Sequence, residues 1–238
     1  MSDPWDALRG TTRARIGLGR TGNALPIRHV LEFQLAHARA RDAVHTEFEM
    51  DVLAEQLPPS IVTRSQAPDR TTYLRRPDLG RKLDPGCRPA PSGPYDAVFV
   101  IADGLSPAGV QLQAPVLLRA CLDRLSGWSI APIVIATQAR VALGDEIGAL
   151  LKATFCVMLI GERPGLTVAN SLGVYLTYQP RPGRRDSERN CISNIHEDGC
   201  SIDAAADMLA WLMTEARHRK LTGVDLKDDR PSQVLSPG

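Results

Sequence analysis

Six consecutive apolar residues, Phe155 to Ile160, run directly into Gly161-Glu162-Arg163-Pro164-Gly165. A run without polar alternation reads as a strand buried on both faces, as in a parallel sheet covered by helices on each side. The Gly/Pro turn then stops the strand and leaves a carboxylate and a guanidinium at its carboxyl end. Open α/β sheets take their ligands at that edge, so the turn is expected to form part of a ligand site.

The surrounding pattern supports an α/β reading. Ala97–Ala102 and Ala131–Thr137 are further apolar strands, Ser171–Tyr178 reads as a fourth, and Cys191–Ile195 as a fifth or its tip. Between them, Pro107–Gly127, Asp145–Leu151 and Ser201–Arg219 carry helical spacing, the last with Ser201 as N-cap. Strands alternating with helices predict a parallel sheet with right-handed crossovers. Three strand ends would then share one edge: Asp103-Gly104, Gln138 to Val141, and Gly161 to Gly165.

Ahead of this unit, Pro26 to about Phe48 reads as a helix whose apolar stripe is Ile27, Val30, Leu31, Leu35 and Ala38. Residues 49–70 suggest a short helix and a connector. Tyr73–Leu83 is dense in arginine and reads as a surface loop leading into a helical turn, or as an anion- or partner-binding loop. Residues 84–94 have linker composition. The expected organisation is an N-terminal arm, helix and connector over 1–94, a main domain over 95–228, and a flexible tail over 229–238.

Bulk chemistry narrows the function. The 238 residues are 43% apolar, and their 28 basic and 27 acidic side chains nearly cancel. That balance argues against broad adhesion to nucleic acid or membrane. No apolar run approaches the roughly 18 residues of a spanning helix, and Met1-Ser-Asp-Pro-Trp-Asp shows no basic-then-apolar signal peptide. Five scattered cysteines without a CxxC pair point to reduced thiols and a cytoplasmic setting.

Several motifs carry less than their letters promise. Gly17-Leu-Gly-Arg-Thr-Gly22 matches G-x-G-x-x-G, but Gly10–Arg15 before it is not strand-like, and Asp42 lies in a helical pattern rather than at a strand tip. His29, His37 and His45 are eight apart, too far for one metal. Asp103, Glu162 and Asp186 form no recognisable hydrolytic set, so no catalytic residue and no metal ligand is assigned. Asn194-Ile-His-Glu-Asp-Gly199 resembles the Asp-x-His-x-x-Gly box of some corrinoid enzymes, with Asn in place of the Asp that orients the imidazole. Glu162 beside Arg163 is expected to be ionised and suits hydrogen bonding to ligand hydroxyls or amides; an ion pair within the turn is the alternative.

Six segments in order resemble the small subunit of ethanolamine ammonia-lyase: Ala14–Arg20, Leu31–Asp42, Tyr73–Arg81, Asp103–Ser106, Gly161–Leu166 and Arg189–Ile195. They span about residues 13–226. The resemblance implies a Rossmann-like parallel sheet flanked by helices, with an N-terminal helical segment. It also implies a lyase subunit, inactive alone, that pairs with a TIM-barrel large subunit as a hetero-oligomer of six of each. Base-on adenosylcobalamin would lie between the two during conversion of ethanolamine to acetaldehyde and ammonia. By motif, the family's cofactor-binding positions fall on Val141, Glu162 and Cys191. Encapsulation in a bacterial microcompartment is the further localisation that the resemblance raises. A non-catalytic corrinoid- or nucleotide-binding module with another partner is the alternative reading.

Overall fold

The computed structural model describes residues 5–229. The tail expected over 229–238 therefore lies outside the described residues except for Asp229. The order of elements is α1 (Asp6–Arg9), α2 (Ile27–His45), α3 (Met50–Glu55), β1 (Ser60–Arg64), α4 (Arg70–Arg75), β2 (Tyr95–Ala102), α5 (Pro107–Arg124), β3 (Ile133–Thr137), α6 (Leu143–Leu150), β4 (Ala153–Gly161), β5 (Leu172–Tyr178), β6 (Arg189–Ile195) and α7 (Ile202–Arg219). No helix among the described residues is long and apolar enough to cross a membrane.

The six strands form one sheet in the order β1-β3-β2-β4-β5-β6. The apolar runs β2 and β4 pair at its centre, with Phe99 opposite Val157 and Ile101 opposite Leu159. Alternate side chains serve the two faces. Phe99, Ile101, Phe155, Val157 and Leu159 join Leu117 and Leu118 of α5 and Leu209 and Leu212 of α7 in one core. Val98, Val100, Cys156, Met158 and Ile160 join Leu143 and Ile147 of α6 in the other. Burying a large aliphatic or aromatic side chain contributes about 1.5–3 kcal/mol, which explains why these strands lack polar residues. Cys156 is plain core, and all five cysteines are free thiols.

The sheet is mixed, which corrects the expectation of a parallel one. β1, β3, β2 and β4 are parallel, but β5 is antiparallel to β4 and β6 antiparallel to β5. A parallel return needs a crossover of a dozen or more residues, usually helical. Residues 162–171 hold no helix and only reverse the chain, and residues 179–188 hold only a single 3-10 turn at Asp186–Glu188. Because β6 reverses again, its carboxyl end returns to the edge where β4 stops.

Ser60–Arg64, expected to be connector, is the edge strand β1. It pairs with β3 from Ser60–Ile133 to Arg64–Thr137. Its sequence is short and half polar after Pro58-Pro59, so only the open side of β3 makes a strand of it. The stripe on α2 also differs from expectation: Ala43 is the helix's only buried residue, while Ile27, Leu31 and Leu35 are 70%, 57% and 52% exposed. The spacing puts these side chains on one face of the helix, and among the described residues that face is left exposed.

A buried ion pair ties the second layer together. Both Arg189 terminal nitrogens donate to the Asp145 carboxylate at 2.7 Å, and they also reach Thr177 Oγ1 (2.8 Å) and the Arg184 carbonyl (3.1 Å). The pair joins α6, β5 and β6. Removing one partner would strand a charge in the interior. Asp145→Ala is therefore expected to lower the unfolding free energy by about 3–5 kcal/mol in a urea titration, whereas removal of the exposed Arg76–Asp78 pair should leave it almost unchanged.

Candidate functional site at the carboxyl edge of the sheet

Three strand ends meet at this edge because β3, β2 and β4 are parallel neighbours. Asp103, directly after β2, organises them. Its Oδ1 accepts the N–H groups of Gly104 (2.9 Å) and Ala139 (3.0 Å), and its Oδ2 accepts that of Gln138 (2.9 Å) and a terminal nitrogen of Arg70 (3.3 Å). Gln138 adopts a left-handed φ of 52° so that two successive amides aim at one carboxylate. The side chain is 1% exposed. Burial is the largest influence and pushes its pKa up to about 6, while the three amides and Arg70 pull the other way.

Glycine closes the gap between the β2 and β4 ends. A Cβ on Gly161 would collide with the carbonyl oxygen of Ser106, and one on Gly104, which has a φ of 55°, with the carbonyl oxygen of Gly161. The Leu105 N–H instead donates to that Gly161 carbonyl at 2.9 Å.

The arginine-dense stretch caps these ends rather than lying loose on the surface. Tyr73 is buried, its hydroxyl donates to the Ala139 carbonyl (2.9 Å), and the Arg140 N–H donates to the Gly80 carbonyl (2.8 Å). Two guanidiniums lie over the Tyr73 ring, Arg70 at 5.0 Å and Arg140 at 4.4 Å from its centroid. Burial raises the Tyr73 pKa and keeps the ring neutral. Of the remaining cations here, Arg75, Arg76 and Arg81 are exposed.

A cleft of about 430 Å³ opens beside this cap, lined by Tyr73, Leu105, Arg140, Val141, Glu162 and Tyr175 among others. Two of the three expected positions, Val141 and Glu162, thus share one wall system. The Glu162 carboxylate is not paired with Arg163 among the described residues. It accepts the Asn194 N–H at 3.1 and 3.2 Å, so the carboxyl end of β6 is fastened to the Gly161–Gly165 turn. Cys191 is not at a strand tip. It lies within β6, opposite Tyr175 of β5 and therefore level with Met158 of β4. Its register partner Tyr175 lines the cleft, whereas Cys191 itself does not. Cys191 is exposed, yet partial desolvation and the Glu162 charge still raise its thiol pKa, against the Tyr175 interaction. Asp186 lies before β6 and so at the opposite edge of the sheet.

His196 has no ring nitrogen to spare. Nδ1 accepts the Asp198 N–H (3.2 Å), so the proton sits on Nε2, which donates to Asn194 Oδ1 (2.8 Å). The Asn194 that replaces the Asp of the corrinoid box therefore caps the imidazole. The glycine pattern at residues 17–22 is also not a dinucleotide loop: among the described residues no strand precedes it, and Gly17, Gly19 and Gly22 all take positive φ. Among the described residues no group of three or more histidine, cysteine or acidic side chains could hold a metal ion.

The sequence reading missed Arg70, Tyr73 and Tyr175 as members of this edge; Arg140 fell within its Gln138–Val141 strand end but was given no role. Tyr175 could have been found by alternation within β5; Arg70 and Tyr73 could not, because their contacts with Asp103 and Ala139 cross 33 and 66 positions of chain.

The family model for "Ethanolamine ammonia-lyase light chain (EutC)" matches residues 2–227, beginning ahead of the Arg13 at which the sequence resemblance was placed. The chain belongs to the ethanolamine ammonia-lyase light chain family. It is 50% identical to the ethanolamine ammonia-lyase small subunit of Azotobacter vinelandii, covering 95% of this chain and 89% of the relative. It is 51% identical to that of Rhodopseudomonas palustris (93% and 89%) and 49% identical to that of Pseudomonas fluorescens (98% and 90%). As an ethanolamine ammonia-lyase light chain it is a lyase subunit.

The Asp103 knot makes a pH prediction. Its folded pKa of about 6 exceeds the usual 3.8, so the folded chain holds this proton more tightly than the unfolded one. The resulting stability is complete below pH 3.8 and is lost as pH rises through 6. A rise of that size corresponds to about 3 kcal/mol. The stability difference between wild type and Asp103→Asn, followed by urea unfolding from pH 4 to 7, should shift by about that amount against the wild type; a flat difference would contradict the assignment.

Proposed function

We propose that this chain is the cofactor-gripping small subunit of an adenosylcobalamin-dependent ethanolamine ammonia-lyase, acting at an interface with a TIM-barrel large subunit in an assembly of six of each. The reaction is conversion of ethanolamine to acetaldehyde and ammonia. The observation that carries this reading is the meeting of Val141 and Glu162 around one cleft at the carboxyl edge of the sheet, with Tyr175, the register partner of Cys191, in the same lining. The setting proposed is cytoplasmic, with a microcompartment as the narrower alternative.

The residues present fit such a cofactor. A corrin is a large disc fringed with amides and needs a broad apolar floor with a few polar grips. Val141, Leu105 and the Tyr175 ring supply the apolar part. Glu162 has carboxylate lone pairs beyond the bond it accepts from Asn194, and these can take amide N–H groups. Clefts for drug-sized ligands run to about 300–1,000 Å³. The roughly 430 Å³ here would hold one side of a cobalamin and leave the rest to the partner. The engaged nitrogens of His196 agree with a base-on cofactor that needs no protein ligand to cobalt.

When bound, the cofactor supplies the radical through homolysis of its cobalt–carbon bond. This chain's residues would do the holding: Glu162 would accept amide N–H groups of the ring periphery, Val141 and Tyr175 would exclude water from the cleft, and the Asp103 knot keeps the β2 and β3 ends at fixed separation. Ethanolamine and the proton transfers belong to the large subunit in this reading. The uncovered apolar side chains Ile27, Leu31 and Leu35 on α2, with Leu112 and Val116 on α5, suit a chain that works within an assembly.

Reconstitution tests the reading. The purified chain mixed with a large subunit and adenosylcobalamin should release acetaldehyde from ethanolamine, and neither subunit should do so alone. No activity under conditions where an authentic small subunit restores it would overturn the assignment, and co-purification with a different partner would favour the non-catalytic binding module. Within the assembled complex, Glu162→Gln should weaken cobalamin binding by roughly 0.5–3 kcal/mol without unfolding the chain, because the amide oxygen still accepts the Asn194 N–H. An unchanged Kd in equilibrium dialysis would remove Glu162 from the contact set.

A further inference from the structure

Two guanidiniums line the cleft, and they differ in how they are built. Arg163 stands exposed on the turn after β4. Arg140 is half-buried and held on several sides. Its backbone N–H is fixed to Gly80, and its guanidinium lies 4.4 Å over the centroid of Tyr73, a ring itself anchored to Ala139. Its stem passes so close to Gly80 that a Cβ there would meet Arg140 Cγ at 2.9 Å.

What Arg140 lacks is an anion. Its Nε is buried without a hydrogen-bond partner in the protein, and no carboxylate pairs with its guanidinium among the described residues. The nearby carboxylate, Asp103, is committed to three amides and to Arg70. A half-buried arginine with an unmet donor is costly by itself and well suited to an oxyanion with two acceptor oxygens.

Resting on the cobalamin reading above, the geometry points to Arg140 as the residue that binds the phosphodiester of the cofactor's nucleotide loop. The chemistry is selective. The corrin's peripheral side chains end in neutral amides, which Glu162 and backbone groups can serve, whereas the phosphodiester is the anionic group of the nucleotide loop. Arg140 therefore reads the loop, and through it distinguishes a complete cobalamin from a corrinoid that lacks one. Tyr73 and Gly80 are positioning residues for that contact.

The test compares two corrinoids on the assembled complex of this chain with a large subunit. Equilibrium binding is followed by corrinoid absorbance for cyanocobalamin and for cobinamide, the same ring without its nucleotide loop. Arg140→Gln should raise the Kd for cyanocobalamin about tenfold or more while leaving that for cobinamide unchanged, and Arg140→Lys should recover part of the loss. Equal losses for both corrinoids would mean that Arg140 only shapes the cleft, and no loss for either would mean that it makes no contact; each result overturns the inference. If the wild-type complex binds neither corrinoid, the cofactor reading fails and this inference falls with it. If the wild type binds cyanocobalamin and Arg140→Gln binds it equally well, this inference alone fails.

Discussion

One buried carboxylate holds the functional edge together. Asp103 accepts the amides of Gly104, Gln138 and Ala139 and pairs with Arg70. Those four donors come from the ends of β2 and β3 and from α4, so one side chain sets the distance between two strand tips and the cap above them. Arg70 extends the network to the carbonyls of Gly104 (2.7 Å) and Val44 (2.8 Å), the latter on α2. An unsatisfied buried amide costs about 1–3 kcal/mol, so the loops have little freedom to rearrange while Asp103 is present. The positive φ at Gln138 follows from the same demand.

A second network fixes the other wall. Glu162 fastens β6 to the turn after β4, and the Asp145–Arg189 pair fastens β6 to α6, which starts two residues after Val141. Val141, Glu162 and Cys191 are thus held relative to one another by hydrogen bonds rather than by loop stiffness. Cofactor sites need that kind of preorganisation, because the protein's contribution is to position a group that carries the difficult chemistry itself.

Much of this was legible in the sequence, and the limits are physical. The runs Phe155–Ile160 and Ala97–Ala102 declared central strands because burial on both faces leaves no room for polar residues. Their shared edge followed from parallel pairing. The direction of β5 did not follow, since Leu172–Tyr178 has the composition of a strand in either orientation, and only the short, helix-free residues 162–171 reveal the reversal. Ser60–Arg64 has too little apolar character to announce itself and is a strand because β3 offers it a partner. The Asp103 knot was invisible, because a carboxylate at a strand end looks the same whether it faces water or three amides. Cys191 was assigned by motif to a tip it does not occupy; the register of β6 against β5 places it beside Tyr175. The helical spacing of Ile27, Leu31 and Leu35 put these side chains on one face and could not say that the described residues leave it exposed.

The central claim is that a cobalamin rests against the carboxyl edge of this sheet. Hydrogen–deuterium exchange on the assembled complex, with and without cobalamin, addresses that placement directly. The account predicts slower exchange on cofactor addition in peptides covering residues 138–142, 161–163 and 190–192, with no change in β1 or at residues 186–188 on the opposite edge. Protection confined to other segments, or absent from these three while cobalamin is demonstrably bound, would contradict it.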